Sequence, residues 1–187
     1  MTALILVLAV ALAGLAGAVR ADERAAPSPR QQADLLRQQG TLLHLLGRYP
    51  DAIGTFLQSI DIHPTAEGHT YLGWSMSKMG LFDDAIAKCK KAIALDPDYG
   101  NPYNDIGAYL IELGRPEEAI PWFEKATKAK RYCCYQYAHF NMGRVFLDQG
   151  RLAETKRAFE RALAIDPEYR LARRGLEIVK QRGLTDL

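Results

Sequence analysis

Apolar residues recur at intervals of three and four along most of the chain. Within residues 103–126 they are Ile106, Tyr109, Leu110 and Leu113, followed by Ala119, Ile120, Phe123 and Ala126. This spacing places apolar side chains on one face of each of two helices. Gly114 lies between the two sets, where a helix favours a left-handed C-terminal residue. The pattern predicts a helical hairpin that must bury one face of each helix.

The same hairpin pattern occurs four times in the chain. Each copy begins at a glycine, carries a second glycine seven residues later, and places Ala and Phe twelve and sixteen residues after the first. The first glycines are Gly40, Gly73, Gly107 and Gly143, which lie 33, 34 and 36 residues apart. Cys89 replaces the phenylalanine of the second copy, and Thr155 replaces the alanine of the fourth. Because glycine inside a helix costs about 1 kcal/mol relative to alanine, each first glycine predicts a partner helix packed against its backbone.

This skeleton resembles the tetratricopeptide repeat family, whose unit is two antiparallel helices with a W-x₂-L-G-x₂-Y, A-x₃-F, P pattern. The tryptophan position is filled by Leu36, His69, Tyr103 and His139, and Arg131 stands where the third copy needs its closing proline. The resemblance implies an all-α, right-handed superhelical solenoid of four hairpins at 33–65, 66–99, 100–133 and 136–169. Residues 170–187, with Leu171, Leu176 and Val179 in a charged sequence, are predicted to form a C-terminal capping helix.

The resemblance also implies a binding surface, because the first helices of such repeats line a concave groove. Groove positions in the family lie three before, one after and four after the first glycine. Here they are Arg37, Thr41, His44, Thr70, Trp74, Ser77, Asn104, Ala108, Ile111, Phe140, Arg144 and Leu147. We expect this groove to bind a protein or peptide segment with apolar anchors and room for an acidic group.

Two features of the groove refine that expectation. Some family members hold acidic chaperone tails, but Tyr71 and Asp105 stand where that clamp needs Asn and a cation. The clamp is therefore not expected here. Trp74 has two interpretations: it anchors a partner, or it packs sideways on the neighbouring first helix.

The first 21 residues follow a different pattern. They are apolar from Ala3 to Val19 and end in Val19-Arg20-Ala21, before the polar sequence DERAAPSPRQQ. This pattern predicts a secretory signal peptide (1–21), a linker (22–32) and a periplasmic or secreted protein. Arg20 and Arg24 follow the apolar run and no Lys or Arg precedes it, which favours the alternative of an uncleaved membrane anchor.

Charge and motifs point to few functions besides protein binding. The net charge of +2 does not indicate a nucleic-acid partner. No nucleophile elbow, zinc-protease motif or phosphate loop is present, and we predict no enzyme, catalytic site, cofactor or metal. The histidines (His44, His63, His69, His139) lack metal-ligand spacing and are predicted to be hydrogen-bonded core residues.

The three cysteines have separate interpretations. Cys89 is predicted to be a small buried apolar residue. Cys133 and Cys134 lie in the longest inter-repeat segment, and are either ordinary thiols or a vicinal disulfide, a redox pair or a link to a partner.

The sequence as a whole predicts a protein-interaction scaffold or adaptor at the cell envelope. The alternatives are a membrane-anchored repeat protein with its repeats in the cytoplasm, or an accessory subunit of an envelope enzyme. A homo-oligomer is also compatible with the sequence, because a groove of this kind accommodates the tail of a neighbouring copy.

Overall fold

The structure, a computed structural model, describes residues 26–185, which form nine consecutive α-helices. They are α1 (Pro29–Leu45), α2 (Tyr49–Ile62), α3 (Ala66–Lys78), α4 (Phe82–Leu95), α5 (Asn101–Glu112), α6 (Pro116–Ala126), α7 (Tyr135–Asp148), α8 (Leu152–Ile165) and α9 (Arg170–Thr185). No helix of this described part has both the length and the apolar character needed to cross a membrane. The predicted signal peptide lies outside the described residues.

The helices pack as four hairpins in two layers. Within residues 26–185 each helix contacts the next one along the chain, and α1, α3, α5, α7 and α9 also contact one another in succession. The second helices of neighbouring hairpins make no such contact with each other in that region. The first helices therefore form a continuous inner layer, and the prediction of an all-α solenoid is confirmed.

Pairs of glycine and phenylalanine hold three of the hairpins together. Phe56 and Phe123 have no exposed surface, and Phe159 is 1% exposed. A Cβ added to Gly107 would lie 2.5 Å from the Phe123 ring, and one added to Gly143 would lie 2.5 Å from the Phe159 ring. Gly40 meets Phe56 in the same way, at 2.7 Å. The prediction that a partner helix packs on these bare backbones is confirmed.

The second glycine of every hairpin ends its first helix. Gly47, Gly80, Gly114 and Gly150 have φ angles of 75°, 76°, 70° and 71°. L-residues rarely adopt this left-handed conformation, whereas glycine adopts it without a Cβ clash. The prediction made from the Gly114 turn is therefore confirmed for all four hairpins.

Two of the departures from the repeat pattern, Arg131 and Thr155, each have a structural reason. The backbone N–H of Arg131 donates to the carbonyl of Asp98 at 2.8 Å, a bond that proline cannot make. Thr155 is fully buried, and its hydroxyl donates to the carbonyl of Arg151 at 2.9 Å, so the polar group is satisfied inside the core.

The linker prediction of 22–32 is wrong at its C-terminal end, since α1 begins at Pro29. Ser28 and Gln31 form a capping box, in which the Ser28 Oγ accepts from the Gln31 N–H and the Gln31 side chain accepts from the Ser28 N–H. This box together with Pro29 in the first turn starts the helix earlier than the apolar periodicity alone indicates.

Helix α9 covers the last hairpin. Ala172 and Val179 are buried against Phe159, and Leu176 packs on the same cluster. A Cβ on Gly175 would lie 2.4 Å from the Phe159 ring, so this ring is held between α7 and α9. Leu171, expected on the apolar face, is instead 54% exposed because the buried face runs through Ala172.

Deleting residues 168–187 is therefore expected to destabilise the chain by about 2 kcal/mol, the value of exposing one large apolar side chain such as Phe159. Thermal unfolding followed by circular dichroism measures this. A chain shortened only by residues 184–187 is the matched control. Equal melting of the full chain and the 168–187 deletion would show that α9 does not act as a cap.

Candidate partner-binding groove

A cavity of about 390 Å³ opens on the inner layer between α3, α5 and the segment that leads into α7. It is lined by Thr70, Tyr71, Trp74, Tyr99, Asn101, Asn104, Asp105, Tyr132, Cys134 and Tyr137, and we call it the central cavity. It lies at the middle of the predicted concave groove.

Helical spacing brings the α5 residues of the cavity together. Asn101, Asn104 and Asp105 are separated by three and one positions and therefore share one face of α5. The side chain of Asn104 also accepts a hydrogen bond from the Asn141 amide of α7, with Nδ2 and Oδ1 3.2 Å apart. This bond links two successive first helices beside the cavity.

The segment between α6 and α7 forms one wall. The Gly100 N–H donates to the carbonyl of Arg131 at 3.0 Å, which ties this segment to the start of α5. A Cβ on Gly100 would lie 2.3 Å from the Cβ of Tyr132, so glycine there allows Tyr132 to approach the backbone. The Tyr132 ring is thereby held in the cavity wall, 6% exposed.

Arg131 is held beside this wall by acidic partners. Its guanidinium donates to Glu67 at 3.0 Å and to Asp96 at 2.5 Å. It also lies 4.9 Å from the centre of the Tyr99 ring. The Arg131 guanidinium is thus paired with acidic groups of this chain, and Arg131 does not line the cavity.

Trp74 packs on the neighbouring first helix, as one of its two interpretations predicts, and it also lines the central cavity. Its indole stacks on the imidazole of His44, with ring centres 3.7 Å apart, while part of it remains exposed and lines the cavity. His44 is buried, and its Nδ1 lies 2.9 Å from the Ser75 Oγ. Burial, and secondarily Lys78, lowers the pKa of His44, so its ring is neutral at physiological pH. His44 is therefore covered by the Trp74 indole and is not exposed to a ligand in the groove.

Asp105 is the acidic residue of the cavity lining. Burial raises the pKa of its carboxyl to about 7, although hydrogen bonding by Asn104 acts in the opposite direction. It retains partial exposure, so it remains in reach of a ligand in the cavity. No residue of the described part forms an ion pair with Asp105.

The other groove residues of the N-terminal half lie around this cavity or near it. Thr70 lines the cavity but is buried, and its hydroxyl donates to the carbonyl of Ala66 at 2.8 Å. The Ser77 hydroxyl donates to the carbonyl of Trp74 at 2.8 Å. The Thr41 hydroxyl likewise donates to the carbonyl of Arg37 at 2.8 Å. These hydroxyls are satisfied within their own helices.

Arg37 lies at the N-terminal end of the groove. Its guanidinium is 6.0 Å from the centre of the Tyr71 ring and 3.5 Å from the Asp34 carboxylate. Arg37 is half-exposed and does not line the central cavity.

The predicted residues of the C-terminal half do not join the central cavity. Phe140 packs on Phe159 and Tyr169, with ring centres 5.6 and 5.1 Å apart, and Leu147 joins the same cluster. Ile111 packs on the main core, Ala108 is half-buried, and Arg144 is exposed. Phe140 is thus occupied by the junction with α9.

The predicted set of groove residues lacks several lining residues, although the sequence had placed Tyr71 and Asp105 at the clamp positions of the family. Asn101 and Tyr137 lie six positions before a first glycine, and Tyr71 and Asp105 lie two before one. A signal for the α5 pair was available, because Asn101 and Asp105 are one helical turn from positions already chosen. Tyr99 and Tyr132 come from loops, whose approach to the groove depends on tertiary contacts that no periodicity indicates.

The remaining histidines and cysteines assemble no further site. The expectation of four hydrogen-bonded core histidines is wrong for His63, which is exposed. The Nδ1 atoms of His69 and His139 are buried without a hydrogen-bond partner, so the expected bond is missing at these atoms. Burial lowers the pKa of each ring. In the described residues no three His, Cys, Asp or Glu side chains are placed to hold a metal.

Cys133 and Cys134 lie beside the central cavity. Their sulfur atoms are 2.7 Å apart, and both are free thiols in this structure. Burial raises the pKa of Cys134 to about 11, with a further contribution from Cys133. Cys89 is fully buried, in agreement with its predicted apolar role.

Comparison with known proteins identifies the repeat. A sequence model of the tetratricopeptide repeat matches residues 66–99 and 136–169, and another model of the same repeat matches residues 88–120. The first two ranges are α3–α4 and α7–α8 with their following loops.

Two curated relatives are similar to about half of the chain. The chain is 27% identical over 98 residues to the small glutamine-rich tetratricopeptide repeat-containing protein 2 of Mycosarcoma maydis, covering 52% of this chain and 28% of that protein. It is 29% identical over 98 residues to heat shock protein STI1 of Saccharomyces cerevisiae, covering 51% of this chain and 17% of that protein. The chain thus matches less than a third of the length of either relative.

Solved structures share the fold. MamA superposes with a TM-score of 0.68 at 22% identity, over 83% of this chain and 85% of that one. Pseudomonas aeruginosa pilF superposes with a TM-score of 0.70 at 22% identity, over 83% and 78% of the two chains.

Proposed function

We propose that this chain, a tetratricopeptide repeat protein by its sequence matches and its fold, is a scaffold that binds a segment of a partner protein along its inner layer. Proteins of this repeat family are generally protein-interaction scaffolds. The central cavity is the observation that carries the proposal, because it concentrates partly exposed aromatic rings at the middle of the layer formed by the first helices. Such rings supply much of the energy at protein interfaces.

We place this scaffold at the cell envelope because of the apolar run from Ala3 to Val19 and the small residues that follow it. Fractionation of cells that express a C-terminally tagged chain tests this location. Recovery in a soluble periplasmic or secreted fraction supports it. Recovery in the membrane fraction, with the tag exposed to the cytoplasm, supports the anchored alternative instead.

The binding surface is tested by crosslinked affinity purification from the native cells, with Trp74→Ala and Tyr137→Ala as variants. Each is expected to weaken recovery of the partner by about 10- to 100-fold, equivalent to 1–3 kcal/mol. Tyr137 is included because it lines the cavity and is 44% exposed, so its removal costs little core packing. Trp74→Ala also removes the stack on His44, and its melting curve must be measured alongside.

Trp122→Ala is the matched control, since Trp122 lies on α6, outside the inner layer, with Lys125 4.4 Å from its ring centre. Partner recovery is expected to remain unchanged in this variant. The opposite result, with loss at Trp122 and none at Trp74 or Tyr137, would place the binding surface on the outer layer and overturn the proposal.

A further inference from the structure

The lining of the central cavity has a distinct chemistry. Five of its ten residues are aromatic, namely Tyr71, Trp74, Tyr99, Tyr132 and Tyr137. One residue, Asp105, is acidic, and none is Lys, Arg or His. The faces of aromatic rings carry partial negative charge and attract cations, with Trp and Tyr better than Phe. Two of these rings already face a cation of this chain, because Arg37 lies 6.0 Å from the centre of the Tyr71 ring and Arg131 lies 4.9 Å from that of Tyr99. The cavity therefore offers a ligand cation the rings of Trp74, Tyr132 and Tyr137 together with the Asp105 carboxyl.

Asp105 has no cation of its own in the described residues. Arg131, a cation of the segment between α6 and α7, is bound by Glu67 and Asp96 and is absent from the lining. A carboxylate that is largely removed from water and has no partner is costly to keep ionised, and its pKa is raised for that reason. A ligand cation beside Asp105 would remove this cost.

Tyr132 supplies a second, independent observation. Its side chain is 6% exposed and lines the cavity, yet its buried hydroxyl oxygen has no hydrogen-bond partner. Such buried hydroxyls are nearly always satisfied in native proteins, by protein, water or ligand. The hydroxyl oxygen offers an acceptor for the N–H groups that an ammonium or guanidinium carries.

We propose that the central cavity binds the basic side chain of a lysine or arginine from the partner segment, with its cationic group against Asp105 and its stem among the aromatic rings. This inference rests on the proposed function and adds the chemistry of the segment. It differs from the sequence-based expectation of an acidic group, because the one ionisable residue of the cavity lining that is charged near neutral pH is the acidic Asp105. Long basic side chains suit such a site because their methylene stems pack on rings while the charged end finds a carboxylate.

The first test is selection of displayed random peptides on the purified full chain. We expect the selected peptides to share an arginine or lysine, and to lose this enrichment when Asp105→Asn is used for selection. Asp148→Asn is the matched control, because Asp148 is exposed at the end of α7 and does not line the cavity. It is expected to select the same peptides as the unaltered chain.

The second test measures one selected arginine peptide and its citrulline form, which keeps the shape of arginine but not its charge. Fluorescence anisotropy of the labelled peptides gives the affinities. Against the unaltered chain, citrulline is expected to weaken binding about tenfold or more; against Asp105→Asn, the two peptides are expected to bind within about twofold of each other.

The outcomes separate this inference from the proposed function. Selection of peptides without a basic residue, or equal loss from citrulline in both chains, overturns the basic-side-chain site and leaves the groove as a protein-binding surface. Selection of no peptide at all from a library of sufficient diversity overturns both.

Discussion

Replacing Phe123 with alanine is expected to destabilise the chain by about 3–5 kcal/mol, as for other fully buried phenylalanines. Phe123 has no exposed surface and belongs to the largest core cluster. Its ring fills the space that Gly107 leaves free on α5. The loss combines the transfer energy of the ring with the cavity that remains between α5 and α6. Urea unfolding followed by circular dichroism measures it.

The partner of that ring gives a complementary test. Gly107→Ala places a Cβ 2.5 Å from the Phe123 ring, and the fully buried ring has little room to move. Overpacking of this kind costs about 1–3 kcal/mol, which offsets the better helix propensity of alanine. Gly107→Ala combined with Phe123→Leu is expected to recover part of the loss, because the smaller side chain leaves room for the new methyl group.

Gly54→Ala is the matched control for these glycine substitutions. Gly54 lies within α2, is exposed, and has no atom within 4 Å of an added Cβ. Alanine is expected to stabilise the chain there by about 0.5–1 kcal/mol. If Gly107→Ala stabilised the chain as Gly54→Ala is expected to do, the close packing of Gly107 against Phe123 would be contradicted.

The hairpin fold was predictable because its signals are local and repeated. Gly107 and Phe123 are sixteen residues apart in the sequence, and the same pair recurs in three hairpins, so each copy supports the others. In the second hairpin the smaller side chain of Cys89 packs against the first glycine in place of a phenylalanine ring. Cys89 lies 3.4 Å from the position of a Gly73 Cβ, a looser contact than the phenylalanine rings make.

The central cavity was predictable only in part. Trp74 and Asn104 followed from the groove positions that the family resemblance implies, since those are counted from the first glycine of each repeat. Tyr132 did not, because its place depends on the Arg131 backbone bonds to Asp98 and Gly100 across thirty or more residues. The sequence shows arginine in place of proline at position 131, but the backbone hydrogen bonds that Arg131 makes to Asp98 and Gly100 could be seen only in the structure.

The role of individual side chains was the least predictable feature. His44 was chosen as a groove residue, yet it is buried beneath Trp74 and bonded to Ser75. Phe140 was chosen in the same way, yet Tyr169, in the turn that leads into α9, packs against its ring. In both cases a neighbouring element covers a position that helical spacing alone leaves on the open face.

Asp105→Asn is expected to stabilise the chain at pH 8, and the gain is expected to disappear as the pH falls to 4. The carboxyl has a pKa of about 7 in the folded chain against an ordinary value of 3.8. The folded chain therefore holds an extra proton between these values, and the stability contributed by this group falls as the pH rises from about 4 to 7. The difference of about 3 pKa units corresponds to a change on the order of 4 kcal/mol.

The groups that face Asp105 do not titrate in this range. Asp105 contributes to raising the pKa values of Cys89, Tyr99, Tyr109 and Tyr132, all of which already ionise above neutral pH. Asp105 is therefore the group of this cluster that changes charge between pH 4 and 8. An asparagine side chain at position 105 has the shape of aspartate and cannot ionise. The two chains are therefore expected to have nearly equal stability at pH 4, where Asp105 is protonated.

The measurement is the free energy of unfolding of both chains in urea at several pH values from 4 to 8. The difference between the chains isolates Asp105, because the buried His44 and His69 and the half-buried His139 are common to both. Their lowered pKa values make them contribute in the opposite direction, with stability lost as the pH falls. Asp148 is exposed, so the free energy of unfolding of the Asp148→Asn chain is expected to vary with pH in the same way as that of the unaltered chain. Parallel curves for Asp105→Asn as well would show that this carboxylate is not the unpaired buried charge on which the basic-side-chain site depends.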